Sequence, residues 1–162
     1  MRANISWHMS EFGRRDAIVI ELIRREFVVD APLAVAWQHL ATVENWPSWA
    51  KHIKRIDLTP KGDLSLKSKG NLHLKIGMQS LFQMTEIAPL KNWKWEGSYL
   101  WLALHYDHQF ESIDSRHTRM IWLVNTTGTA VGLVGKLFSV IYNKNLDAAI
   151  PNLQEEIRLL NV

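Results

Sequence analysis

Between residues 53 and 127 the sequence alternates short β-favouring runs with turn formers, and from residue 131 its apolar period becomes that of a helix. That change of period constrains the fold more than any other feature. The runs read as strands at 53–58, 64–69, 71–76, 79–87, 93–98, 101–113 and 118–127, preceded by a long first strand at 17–29 rich in Ile, Val and Phe. Pro60-Lys61-Gly62-Asp63, Lys69-Gly70-Asn71, Gly77, Ala88-Pro89 and Asp114-Ser115-Arg116 punctuate them. Connections this short pair neighbouring strands as antiparallel hairpins.

Beyond residue 131, Val134, Phe138, Ile141, Ala149, Leu153, Ile157 and Leu160 recur at helical spacings of three and four or their sums. Lys136, Lys144, Asp147, Glu155 and Arg158 fall on other faces. Pro151 removes one helix hydrogen bond and predicts a kink. After the first strand, Asp30 is suited to cap a helix that has Pro32 early in it, where its missing N–H is harmless, runs through residues 33–40 and ends near Ala41. A second short helix begins at Glu44 and is broken around Pro47. The fold class is therefore α+β: a curved antiparallel sheet of about seven strands around a long C-terminal helix, with two short helices after the first strand. Residues 1–16 read as an arm, docked through Trp7 and Phe12, and residues 17–162 as one domain.

Composition narrows the function. With 162 residues, 47% apolar and 22% charged, the chain can bury one sizeable core without staples. It has no cysteine, so disulfides, thiolate catalysis and cysteine-based zinc sites are excluded. The net charge of +3 comes from scattered Lys and Arg. That argues against nucleic acid, whose binders gather basic residues on one face. No run approaches the roughly 20 apolar residues of a membrane span, and the apolar run after Asp16 has no cleavage pattern. A cytoplasmic location is expected.

Phe27-Val-Val-Asp-Ala-Pro-Leu-Ala-Val-Ala-Trp37, Val43-Glu-Asn-Trp-Pro-Ser-Trp49, Thr85-Glu-Ile-Ala-Pro89 and Thr118-Arg-Met-Ile-Trp122 carry a resemblance. In order and spacing the chain resembles the START-like, or SRPBCC, superfamily of helix-grip proteins, and within it the polyketide cyclase/dehydrase family. The likeness covers residues 18–160. It implies an apolar cavity between the sheet and the C-terminal helix, binding or carrying a lipid, quinone or polyketide-like ligand. Some such proteins catalyse cyclisation or dehydration, but no catalytic cluster is shared across the superfamily, so none transfers.

Strand alternation indicates which side chains face that cavity. Leu102, Leu104, Tyr106, His108 and Phe110 form the more apolar parity of their strand, Met120, Trp122 and Val124 that of the next, and Leu72, Leu74 and Ile76 oppose His73 and Lys75. Eight tryptophans are many large rings for one domain; they either fill the core or, at Trp46, Trp49, Trp95 and Trp122, line and gate the cavity. The ligand-binding set so read is Trp46, Trp49, Leu74, Trp95, Leu104 and Tyr106, together with His108, Phe110, Met120, Trp122, Phe138 and Ile141. His52 and Glu44 are candidates for its mouth.

His108 and Tyr106 share the inner parity and are the catalytic candidates: a His base beside a Tyr that polarises a carbonyl suits aldol cyclisation and dehydration. Alternatively each satisfies a buried hydrogen bond or orients a ligand. His105 and His108 point to opposite faces, so they make no metal pair, and His105, Asp107 and His73 fall on the outer face. No metal and no cofactor is expected, and Gly128, Gly132 and Gly135 do not form a dinucleotide-binding loop. Three readings stand: a binding or carrier domain, a cyclase/dehydratase, and an interaction module for a membrane-associated partner. A buried helix face accounts for the apolar run 131–142.

Overall fold

The computed structural model describes residues 19–127 and 132–160. The arm at 1–16, the first residues expected in the opening strand, and Gly128 and Val131 lie outside them. β1 (Val19–Val29) is followed by α1 (Leu33–Ala41) and a 3-10 helix (Val43–Ser48). Six strands come next: β2 (Ile53–Thr59), β3 (Lys69–Leu74), β4 (Gln79–Ala88), β5 (Asn92–Tyr99), β6 (Leu102–Ser112) and β7 (Thr118–Thr127). α2 (Gly132–Leu160) ends the described chain. The seven strands form one sheet in the order β1-β7-β6-β5-β4-β3-β2, every neighbour antiparallel. β2 to β7 are a simple meander, and β1 closes the far edge beside β7. The sheet curves around α2, as the change of period indicates.

Three local expectations are corrected. Residues 64–68 are not strand. Ser65 N–H donates to Ser68 Oγ at 2.9 Å and Ser68 N–H donates to Ser65 O at 2.9 Å, so this pair closes a turn on itself. Short hydroxyl side chains offer the backbone an alternative to a ladder. Ile76 also leaves the sheet, because Gly77 N–H donates to Leu74 O at 3.0 Å and folds the β3–β4 hairpin there; Ile76 is 75% exposed. Asp30 does not cap α1. The N-cap is Pro32, whose carbonyl accepts the first helical bond from Ala36 at 3.0 Å.

The core lies between the sheet's concave face and the helices. Six tryptophans, Trp37, Trp46, Trp49, Trp93, Trp95 and Trp122, join it in edge-on and tilted contacts with ring centroids 4.6–5.9 Å apart, helped by Phe27, Phe82 and Phe110. Such pairs each add about 0.5–1.5 kcal/mol beyond their buried area. Trp46 also donates its indole N–H to Leu40 O at 2.8 Å, meeting one of the carbonyls left open at the end of α1.

α2 buries Gly135, Phe138, Leu146, Ala149, Leu153 and Ile157 and runs through Pro151. Of the expected apolar face, Ile141 and Leu160 are exposed instead. Side chains fasten α2 to the free edge of β1: Ser139 donates to Leu22 O at 3.3 Å, Gln154 donates to Val28 O at 2.8 Å, and Arg25 pairs with Asp147. Covering an edge strand this way removes a template for unwanted pairing. No helix among the described residues is long and apolar enough to cross a membrane.

Candidate functional site: an apolar cavity under α2

A cavity of about 360 Å³ opens where the first half of α2 crosses the hairpin ends of β3, β4 and β5. Its size falls in the range of small-molecule sites, roughly 300–1,000 Å³. The sheet side is built by inward residues of successive strands: Ile53 of β2, Leu72 and Leu74 of β3, Phe82 of β4, Trp95 of β5 and Tyr106 of β6. Trp46 closes one end, Phe138, Ile141 and Tyr142 supply the helix side, and Ile76, Met78 and Leu100 stand at the rim. Phe138 stacks on Tyr142 with centroids 5.2 Å apart and meets Tyr99 at 5.3 Å, giving the helix side an aromatic wall.

Polar side chains share the wall with the apolar ones: Gln79, Ser80, Ser98 and Asn145 beside His52 and the tyrosines. Among the described residues no Asp, Glu, Lys or Arg lines the cavity. Burial pushes the Tyr106 phenol well above its ordinary range, with the neighbouring Tyr142 adding to it, and burial alone does the same to Tyr142. Both phenols therefore stay protonated at any physiological pH and can donate a hydrogen bond. The rings lie 6.1 Å apart across the sheet–helix gap. His52, also in the wall, is held below its usual imidazole range by burial and then by Lys75. The lining thus offers neutral donors and acceptors set in an apolar surface.

Six of the residues read from the sequence meet at this cavity: Trp46, Leu74, Trp95, Tyr106, Phe138 and Ile141. The other six do not. Trp49, Leu104, His108, Phe110, Met120 and Trp122 are each 5% exposed or less and pack into the core beyond the wall. His108 sits among four indoles, those of Trp46, Trp93, Trp95 and Trp122, with centroids 5.1–5.7 Å away. Desolvation lowers its pKa to about 3, so it is neutral, and its Nδ1 has no hydrogen-bond partner. Of the two mouth candidates, His52 is in the wall and Glu44 is not.

The outer-face histidines are structural. His73 is buried by contact with Asp57 Oδ2 at 2.7 Å and the Arg55 guanidinium at 3.1 Å, rather than solvated as expected. His105 pairs with Glu96 at 3.2 Å. β4 and β5 separate β3 from β6, which keeps His73 more than roughly 14 Å from His105 and Asp107 at the usual strand spacing. No group of metal-ligating side chains occurs among the described residues.

No protein-family model matches the chain, and no curated protein does. Solved structures do match. Zhui aromatase/cyclase from a Streptomyces species superposes with a TM-score of 0.67 at 14% identity, over 87% of this chain and 94% of that one. A START superfamily protein from Mycobacterium smegmatis gives 0.64 at 14%, over 83% and 97%. The chain has the START-like helix-grip fold. A hypothetical protein from Helicobacter pylori shares it at a TM-score of 0.67 and 15% identity, over 96% of this chain and 97% of that one. At such identities the likeness concerns the fold alone.

Within the helix-grip frame, sequence reasoning missed Phe82, Tyr99, Ile53 and Tyr142 as wall residues, while Leu72, read as inward-facing, does stand in the wall. Two signals were present. Phe82 shares a parity with Met84 in β4, and Tyr142 lies four residues after Phe138 on the same helix face. Which end of the sheet the cavity occupies is set by where α2 crosses, and no local pattern carries that.

Proposed function

We propose that the protein binds or carries a small, uncharged, apolar or aromatic ligand, of the lipid, quinone or polyketide-like class. The observation behind this reading is the wall itself: aromatic and aliphatic surface with neutral Tyr106, Tyr142 and His52 and no formal charge among its described residues. A ligand charge placed there would lose hydration without a counter-ion, at several kcal/mol. A ligand carbonyl or hydroxyl would instead meet the two phenols. The named neighbours support the same class, one being an aromatase/cyclase.

Binding is favoured over cyclase/dehydratase chemistry. A general base must come within hydrogen-bonding reach of the proton it takes. His108 does not reach the wall; Trp46 and Trp95, which do, pack against its ring. Tyr106 orients a polar end of the ligand.

Thermal-shift measurements with a long-chain alcohol, a short-chain quinone and a planar polyphenol test this reading. A ligand at 100 times its Kd adds about 2.7 kcal/mol, which for a domain of this size is on the order of 5–10 °C. Leu74→Trp, which puts an indole into the cavity, is expected to abolish the shift. Failure of every ligand class to raise the Tm, or an undiminished response in Leu74→Trp, overturns it.

A further inference from the structure

The first half of α2 carries an exposed apolar stripe that the cavity does not explain. On the first half of α2, Leu133, Leu137, Val140 and Lys144 recur at spacings of four, three and four, on the side opposite the buried Gly135, Phe138 and Leu146. All four are exposed, Leu133 to 81%. The apolar run at 131–142 is therefore only half accounted for by a buried face.

On the helix surface Ile141 lies between this stripe and Phe138, and Ile141, Ile76 and Leu100 are both wall residues of the cavity and exposed. Beside Leu100 stands Trp101, 69% exposed at the tip of the β5–β6 hairpin. That tip is a two-residue loop, since Tyr99 pairs with Leu102. Leu100 occupies it at φ 54°, a left-handed conformation that Gly or Asn adopts far more easily. An exposed Leu-Trp pair at such a tip goes against local turn preference, and breaches of that kind cluster at functional positions.

Charge says what covers this surface. The three segments that form the mouth, residues 74–80, 97–104 and 132–146, contain Lys75, Lys136 and Lys144 and no Asp or Glu. All three lysines are exposed. A second copy placed there by a two-fold axis would set lysine against lysine. A surface of anionic headgroups supplies the opposite charge, takes the aliphatic stripe into its acyl boundary, and seats a tryptophan at the interface, where that side chain is favoured.

We infer that the mouth of the cavity docks on an anionic lipid bilayer, through Leu100 and Trp101 of the β5–β6 tip and the Leu133, Leu137, Val140 stripe of α2, ringed by Lys75, Lys136 and Lys144. This rests on the ligand-binding reading: docking mouth-down lets an apolar ligand pass between bilayer and cavity without crossing water.

Flotation of the full chain with vesicles tests it. Vesicles of phosphatidylcholine with 30% phosphatidylserine, about the anionic share that gives a strong surface potential, are expected to carry the protein up, and pure phosphatidylcholine vesicles far less. Adding salt weakens the association. Lys136→Gln with Lys144→Gln lowers the affinity about 25-fold, at about fivefold per lysine. Leu137→Asp with Val140→Asp lowers it on the order of tenfold or more. Neither pair lines the cavity, so ligand-induced thermal shifts stay at the wild-type value in both. Equal binding to neutral vesicles, or wild-type binding by both double variants, overturns the inference. So does gel filtration in which Leu137→Asp splits a dimer while vesicle binding persists. If vesicles bind as described but no apolar ligand shifts the Tm, docking holds and the ligand reading fails.

Discussion

His108 shows how one buried side chain couples the core to pH. Unfolded, it titrates near 6.5; folded, desolvation among four indoles lowers it to about 3. The unfolded chain therefore binds more protons between those values, so stability is complete above about pH 6.5 and falls as pH drops, by about 1.4 kcal/mol per pH unit down to about pH 3. His39 and His52, both lowered chiefly by burial, act in the same direction. In His108→Leu the loss of stability between pH 7.5 and 4.5, read from urea unfolding, is expected to shrink by about 2–3 kcal/mol. An unchanged pH slope would mean that the imidazole is not what acid attacks. The inward parity of β6 was legible, because Leu102, Leu104 and Phe110 outweigh Ala103, Asp107 and Glu111 on any apolar scale. That His108 lies beyond the cavity wall was not, because parity gives a face of the sheet and says nothing of depth behind a neighbouring ring.

α2 is an element with two apolar faces put to different uses. Leu153 and Ile157 are fully buried against the sheet, while Leu133, Leu137 and Val140 look outward. Leu153→Ala is expected to cost about 2–5 kcal/mol in chemical denaturation. Leu137→Ala is expected to stay within about 0.5 kcal/mol; comparable losses at both positions would mean that the outward stripe is packed in solution. The helix was readable from its period, and so were the two short helices after β1, although the second runs through Pro47 instead of breaking there. Of the strand expected at 64–69 only Lys69 is strand, because Ser65 and Ser68 close a turn on each other, an option that β propensity does not count. The strand ends at residues 76 and 101 moved because hairpin turns, formed by backbone hydrogen bonds, decide where pairing stops.

For the molecule as a whole, the cavity is the compromise between stability and use. A dry, sealed void of about 360 Å³ would forfeit on the order of 9 kcal/mol, at about 24 cal/mol per Å³, comparable to a domain's whole net stability. The exposed rim at Ile76 and Leu100 opens it to solvent instead, so the penalty is partly relieved by water and fully by a ligand. Leu74→Trp is accordingly expected to stabilise the ligand-free protein by about 0.5–2 kcal/mol, the usual gain from cavity filling, in the same variant that loses its response to ligand. A destabilised Leu74→Trp protein would show that the space is already closed by its own side chains.

Local chemistry in the sequence determined the kinds of element, their order and their inward faces, because period, turn formers and prolines act within a few residues. The antiparallel meander followed from connections too short for anything else. Only the tertiary structure decided which inward residues stand at the cavity and which are sealed behind it, and that Ile141 of α2 and Leu100 of the β5–β6 tip share one mouth. Those placements depend on where a helix crosses a curved sheet, and that crossing is set by contacts between residues more than a hundred positions apart, such as Ser139 with Leu22 and Gln154 with Val28.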